Sequence, residues 1–308
     1  MSRLEQALDD YLTTRRALGF KLREHGTLLA GFVDYLERAG APTVTVELAL
    51  AWATLPKNVD PYRWKARLTM VRGFAAYLHT LDPTTEVPPA DLLAYRTARP
   101  TPRLYSDAEI AAILAAAAML VPRMRAATYH TLFGLLAATG LRVNEAIALT
   151  RDDVDLSRGL LTIRQAKFDR TRQLPVHPST VEVLAAYTEL RDELFPHPDH
   201  DRFLVSATGT ALRYTGVQKV FVAVAERVGI DPEPVSRRPR LHSLRHTFAV
   251  DTLLEWHRAG VDVDARMPLL SAYLGHTHPA STYWYLQAAP ELLAVAAQRL
   301  ELVRGRLP

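Results

Sequence analysis

The chain has 308 residues, 48% hydrophobic and 23% charged, the balance of a folded protein with room for two domains. It has no cysteine, which excludes disulfides, thiolate metal sites and cysteine nucleophiles, so any nucleophile must be oxygen or nitrogen. A net charge of +4 with a pI near 9.3 points to an acidic partner, and no apolar run of about 18 residues suggests a membrane span. The opening MSRLEQALDDYL carries acids in place of an apolar signal core, so the expected location is the cytoplasm. Only five of the 37 lysine and arginine residues are lysine. Arginine suits bidentate phosphate contacts, although high-GC coding would give the same skew.

Residues 1–98 are expected to form a helical domain. Apolar positions recur at helical spacing in LEQALDDYLTTRRAL, TLLAGFVDYLERAG, VELALAWA and PYRWKARLTMVRGFAAYLHTL, which makes four helices. Two basic groups here are candidates for contact with an acidic partner: Arg15, Arg16, Lys21 and Arg23, and then Arg63, Lys65, Arg67 and Arg72 around Trp64. A solvated basic face is the plain alternative. The stretch EVPPADLLAYRTARPTPRLYS interleaves prolines with arginines and reads as a linker, assigned to residues 99–105.

The second domain is expected over 106–308. Ser106 and Glu109 form a capping box ahead of AAILAAAAML, and helical patterns continue through TYHTLFGLLAATG and LRVNEAIAL. RGLLTIRQA and RTRQLPV read as two strands of a hairpin, Ser179 and Glu182 as the cap of VEVLAAYTELRDEL, and 213–303 as mainly helical. The predicted class is therefore mainly α with a small β-hairpin or sheet: a helical domain followed by a mixed, mainly α one.

Three stretches carry candidate chemistry. In ATGLRVNEAIAL (138–149), Gly140 permits a turn, Arg142 starts a helix, and Glu145 can hold its guanidinium. An arginine beside free helix-start amides suits a phosphate; an exposed ion pair fits the same residues, and both readings stay open. In LHSLRHTFAVDTLL (241–254), His242 and Arg245 share a helix face above a stripe of Leu244, Phe248, Ala249 and Leu253. His242 and His246 have two-ligand spacing, but HSLRH lacks the carboxylate and third ligand of a zinc site, so no metal is expected. DDVD (152–155) is taken as an Asp-rich turn. STYWYL (281–286) holds Tyr283 and Tyr285, roughly 200° apart on a helix, so that one can pack while the other faces a site.

Taken together, these stretches resemble the tyrosine recombinase (phage integrase) family. ATGLRVNEAIAL is similar to its first arginine box, LHSLRHTFA to its His-x-x-Arg box, and LLSAYLGHTHPASTYWYL to its Leu-Gly-His box followed by the nucleophilic tyrosine, in the family's order over about 105–290. The first domain resembles the family's core-binding domain less distinctively, and TYWYLQAAPELL resembles the ending of some transposon-borne members. The resemblance implies that Arg142 and Arg245 clamp a phosphate, that His242 and His276 fill the histidine positions, that Lys167 is the hairpin lysine and that Glu145 supports them. It also implies that the tyrosine nine positions after His276, Tyr285, is the nucleophile, leaving Tyr283 to packing.

The chemistry needs these residue types. Attack on a phosphodiester builds charge on non-bridging oxygens, which two arginines and two histidines can meet without a metal, and a lysine can give the leaving oxygen a proton as arginine cannot. Arg164, Arg170 and Arg172 around Lys167 are candidates for DNA backbone phosphates. The implied activity is metal- and ATP-independent site-specific recombination through a 3′-phosphotyrosyl bond, with no cofactor. A type IB topoisomerase-like relaxing enzyme and a catalytically silent DNA-binding protein are the alternatives. The implied partner is double-stranded DNA with specific sites. Pro290 opens an apolar helix, 290–303, with Leu293, Ala297, Leu300 and Val303 on one stripe, through which the resemblance implies a dimer on each site and a tetramer in synapse.

Overall fold

The computed structural model describes residues 2–20, 22–93, 103–165, 170–230, 238–276, 278 and 280–288. The chain separates into two compact units, Met1–Arg99 and Pro100–Pro308. The first contains α1 (Arg3–Ala17), α2 (Arg23–Arg38), α3 (Val46–Thr54) and α4 (Pro61–Leu81). Their starts follow local chemistry. Ser2 and Glu5 close a capping box on α1, Thr45 Oγ1 accepts from Leu48 N at 3.2 Å, and Asp60 accepts from Tyr62 N at 2.8 Å ahead of Pro61. The apolar stripes meet in a core of Leu8, Leu12, Phe32, Leu36, Trp52, Leu68, Val71 and Phe74. Each fully buried large side chain of this kind contributes roughly 1.5–3 kcal/mol.

The second unit holds α5 (Asp107–Ala118), α6 (Arg123–Thr139), α7 (Val143–Ala146), a 3₁₀ turn (Arg151–Asp153), β1 (Val154–Asp155), β2 (Leu160–Gln165), β3 (Arg170–Pro175), α8 (Pro178–Leu194), α9 (Tyr214–Arg227), α10 (His242–Arg258), α11 (Val263–Leu274) and α12 (Ala280–Ala288). The mainly helical class with a small antiparallel sheet is what the sequence led us to expect. The Ser106–Glu109 box opens α5, and α6 runs through the core with Leu132, Phe133, Leu135 and Leu136 buried. Phe133 meets Phe221 of α9 edge-on, with ring centroids 5.2 Å apart.

Several local expectations change. LRVNEAIAL was expected to be a helix, but it makes only the single turn α7 before the chain turns away. DDVD is more than a turn: Asp153 is buried in the 3₁₀ segment, accepting from Thr150 N at 3.0 Å and Arg164 Nε at 2.7 Å, and Val154–Asp155 adds a third strand beside β2. The cap of α8 is His177, which accepts from Ser179 N at 3.3 Å, because Pro178 without an N–H suits the first helical position. Of the linker residues, 99–102 lie outside the described residues. Tyr105 is buried in the second unit, its N–H donating to Thr247 Oγ1 at 2.8 Å and its hydroxyl to Arg240 O at 3.1 Å.

The register of β2 and β3 decides which way the hairpin side chains point. Leu161 opposes Leu174 and Ile163 opposes Arg172, so these four share one face. Leu161, Ile163 and Leu174 are buried, which puts Arg172 on the core side of the sheet. Its exposed neighbours Thr171 and Gln173 occupy the other face.

Candidate active site

A helix end leaves its last carbonyls without intrahelical donors. At the end of α11, three consecutive carbonyls are each met by an arginine from a different element: Tyr273 O by Arg172 Nε at 3.0 Å, Leu274 O by Arg245 Nη2 at 2.6 Å, and Gly275 O by Arg142 Nη2 at 2.9 Å. The negative end of the helix dipole favours cations there. Residues far apart in sequence are thus gathered on one short piece of backbone.

Glu145 ties two of these arginines together. Its carboxylate accepts from Arg142 Nη1 at 2.8 Å and Arg142 N at 3.1 Å, and from Arg172 Nη2 at 2.8 Å and Nη1 at 3.3 Å. Burial alone would raise its pKa; the Arg172 guanidinium and the Arg142 charge outweigh that and hold it below the usual range. The Arg142–Glu145 pair is therefore a partly buried ion pair whose carboxylate is shared with Arg172. The open helix-start amides expected beside Arg142 are not available in the same way, since α7 has a single turn and the Arg142 amide is taken by Glu145.

Arg245 is 2% exposed, and its second nitrogen, Nη1, donates to Gly140 O at 2.6 Å. Burial, then the nearby Arg142 charge, pushes its pKa down to about 10, so it remains a cation at neutral pH. Gly140 is essential to this geometry. It caps α6 at φ 59°, and a Cβ there would lie 2.6 Å from Phe248 Cδ1 and 3.1 Å from Leu274 Cδ2. Gly140→Ala is expected to lower stability by roughly 2 kcal/mol or more, combining left-handed strain with the clash. A thermal unfolding midpoint equal to that of the wild type would contradict this.

α12 completes the site. Thr282 and Tyr285, three residues apart, share its buried face. Thr282 Oγ1 lies 2.7 Å from His276 Nδ1, and the Tyr285 ring stacks on His276 at 6.2 Å between centroids. Tyr285 is 2% exposed and Tyr283 is 42% exposed. The half-turn between them separates as expected, except that Tyr283 faces outward instead of packing. His246 meets His242, Trp284 and Tyr285 edge-on at 4.6, 5.4 and 5.6 Å, an aromatic cluster that sequence reading had considered only as a metal alternative.

His242 and His276 both stand against the arginines. Burial, followed by the charges of Arg245 and Arg142, lowers each ring to about 4, although His242 keeps an exposed outer surface and solvent offsets part of its shift. Both are neutral donors at pH 7. Their folded pKa lies below the unfolded 6.5, so the unfolded chain binds more protons between about 4 and 6.5. Stability from this source is present above 6.5 and is lost as pH falls through that window. Urea midpoints should drop between pH 7 and about pH 5, and His276→Gln should flatten the drop. An unchanged slope in that variant would contradict the assignment.

The remaining candidates are dispersed. Lys167 lies outside the described residues, as do Lys21 and the side chains of Arg170 and Arg23. Arg164 is paired with Asp153. In the first unit, Arg67 stacks 3.6 Å over the Trp52 ring and donates to Trp52 O at 2.9 Å, while Arg72 donates to Pro88 O at 2.7 Å and Pro89 O at 2.8 Å. Arg15 lies 4.0 Å over Phe20. Those three serve packing within their own unit, whereas Arg16 and Arg63 are exposed and Lys65 is half-buried. Sequence reasoning missed Thr282 and the inward role of Arg172. The first was detectable as the residue one turn before Tyr285, the second from the alternation of Arg172 with apolar Leu174.

Residues 103–291 match the phage integrase family. The chain belongs to that family. It is 42% identical over 307 residues to the putative integrase/recombinase y4rB of Sinorhizobium fredii, covering 98% of each chain. It is 30% identical over 172 residues to the tyrosine recombinase XerA of Thermococcus kodakarensis, covering 55% of this chain and 54% of the relative. Among solved structures, the XerH site-specific recombinase in a post-cleavage complex with its difH substrate aligns with a TM-score of 0.68 at 19% identity, over 90% of this chain and 79% of that one. The Tn1549 transposon integrase bound to transposon right-end DNA aligns with a TM-score of 0.66 at 16% identity, over 97% and 99%. These two likenesses establish the shared fold. As a phage integrase family member, the chain is an enzyme of DNA recombination. Among its described residues, no helix is long and apolar enough to cross a membrane.

Proposed function

We propose that this site-specific recombinase cleaves and rejoins DNA with Tyr285 as its nucleophile. The observation that carries the reading is the convergence of Arg142, Arg245, His276 and Tyr285 around the end of α11 and the buried face of α12. The Tyr285 hydroxyl oxygen attacks phosphorus as its proton passes to solvent, the bond from phosphorus to the 5′ oxygen breaks, that oxygen takes up a proton, and a 3′-phosphotyrosine and a free 5′ hydroxyl result. Charge building on the non-bridging oxygens is met by Arg142 and Arg245 and by the neutral imidazoles; the His276 tautomer that accepts from Thr282 Oγ1 at Nδ1 has a proton on Nε2 to donate. Tyr285 is buried, so attack requires α12 to open locally toward the phosphate. The 5′ hydroxyl then attacks a partner strand's phosphotyrosine, and the bond energy is conserved without ATP.

We assign the leaving-group proton to Lys167. Lys167→Ala should cleave slowly, and a bridging 5′ sulfur should restore the rate, because a thiolate leaves without a proton. Failure of the rescue would remove Lys167 from that role. The partners are double-stranded DNA sites and further copies of this chain, two per site and four in synapse, joined by the 290–303 helix, which lies outside the described residues. Cytoplasmic location follows from access to DNA. The reading is tested by incubating the chain with a random-sequence library of nicked duplexes and sequencing the DNA recovered in covalent complexes. One enriched motif is expected; covalent capture without sequence enrichment would contradict site specificity.

A further inference from the structure

Arg172 stands on the core face of the hairpin, and all three of its guanidinium nitrogens donate within the protein and not to a phosphate. It has two separate anchors instead. One is the Glu145 carboxylate, gripped by both terminal nitrogens, and the other is the Tyr273 carbonyl. The same carboxylate orients Arg142 by its Nη1 and its amide. Were Glu145 to face Arg142 alone, the pair would be one cation against one anion. With Arg172 the carboxylate is shared between two guanidinium groups, and the pocket keeps a net positive field for an incoming anion. The Tyr273 anchor fixes the backbone that offers carbonyls to Arg245 and Arg142 and leads directly into His276.

We infer that Arg172 is a positioning residue of the cleavage reaction: through Glu145 it sets the orientation and effective charge of Arg142, and through Tyr273 it holds the backbone that carries His276. It does so without touching DNA. The inference rests on the recombinase reading above. Lysine cannot replace it, because a single ammonium cannot grip both carboxylate oxygens in a planar fork and reach the carbonyl as well.

The probe is the duplex that the wild-type chain captures covalently from a random-sequence nicked library. Arg172→Lys should bind that duplex as the wild type does but form the covalent complex between about tenfold and a hundredfold more slowly, the effect of a small misplacement of groups at the reacting centre. Glu145→Gln with Arg172→Lys should be no slower than the slower single variant, because the two residues act as one unit. A wild-type cleavage rate in Arg172→Lys would overturn the inference. So would a parallel fall in binding and cleavage, the mark of a phosphate contact, or multiplicative effects in the double variant. If the wild type captures no DNA, the recombinase reading fails on its own. The pair is then judged by urea unfolding of the DNA-free variants, where non-additive midpoints support the Arg172–Glu145 coupling and additive ones overturn it.

Discussion

Tyr285→Phe is expected to eliminate the covalent protein–DNA species while leaving DNA binding intact. The change removes one hydroxyl and keeps the ring, so stacking on His276 and the edge contact with His246 survive, as does the burial of this face of α12. Without that oxygen no phosphotyrosyl bond can form, and the loss is complete, not graded. Tyr283→Phe, on the exposed side of the helix, should cleave within about twofold of the wild type, as expected for a surface substitution away from the chemistry. The measurement is denaturing gel electrophoresis of labelled nicked duplex. Loss of the covalent band in the Tyr283 variant and its retention in the Tyr285 variant would overturn the assignment.

Arg245→Ala and Arg142→Ala are each expected to slow single-turnover cleavage by about 10² to 10³, the usual effect of removing one charge donor from a transition state. Binding should fall less, because a clamp on DNA distributes its phosphate contacts over many residues. The two variants should differ in stability. Arg245 is buried and satisfies the carbonyls of Gly140 and Leu274, so its loss leaves two buried acceptors unmet at roughly 1–3 kcal/mol each. Arg142 is 39% exposed and gives up less. Stability equal to wild type in Arg245→Ala, or cleavage within a few fold of it, would contradict the site as built.

Much of the fold was legible because local signals agreed with the global arrangement. The four helices of the first unit follow from apolar spacing and caps at Ser2, Thr45 and Asp60. The hairpin follows from β-branched runs; the half-turn between Tyr283 and Tyr285 separated the two rings but did not say which of them is buried. What was not legible depended on distant partners. LRVNEAIAL has helical spacing, yet it folds as one turn because Arg142 and Glu145 are held from outside, by the end of α11 and by Arg172. Arg67 and Arg72 look like part of a basic surface until Trp52 and the carbonyls of Pro88 and Pro89 are found beside them. No pattern within a helix says that a cation will cover a ring of another helix. The same holds for the three arginines on α11, whose meeting point is a set of backbone carbonyls with no sequence signature.

The most direct test of the central claim is to map the bond itself. The wild-type chain is trapped on nicked duplex DNA, digested with nuclease and protease, and the peptide that retains a nucleotide phosphate is sequenced by tandem mass spectrometry. A phosphodiester remnant is expected on Tyr285, in a peptide containing STYWYL, with a free 5′ hydroxyl on the released strand. A remnant on Tyr283, on a serine or on a histidine, or a 5′-linked adduct, would contradict it.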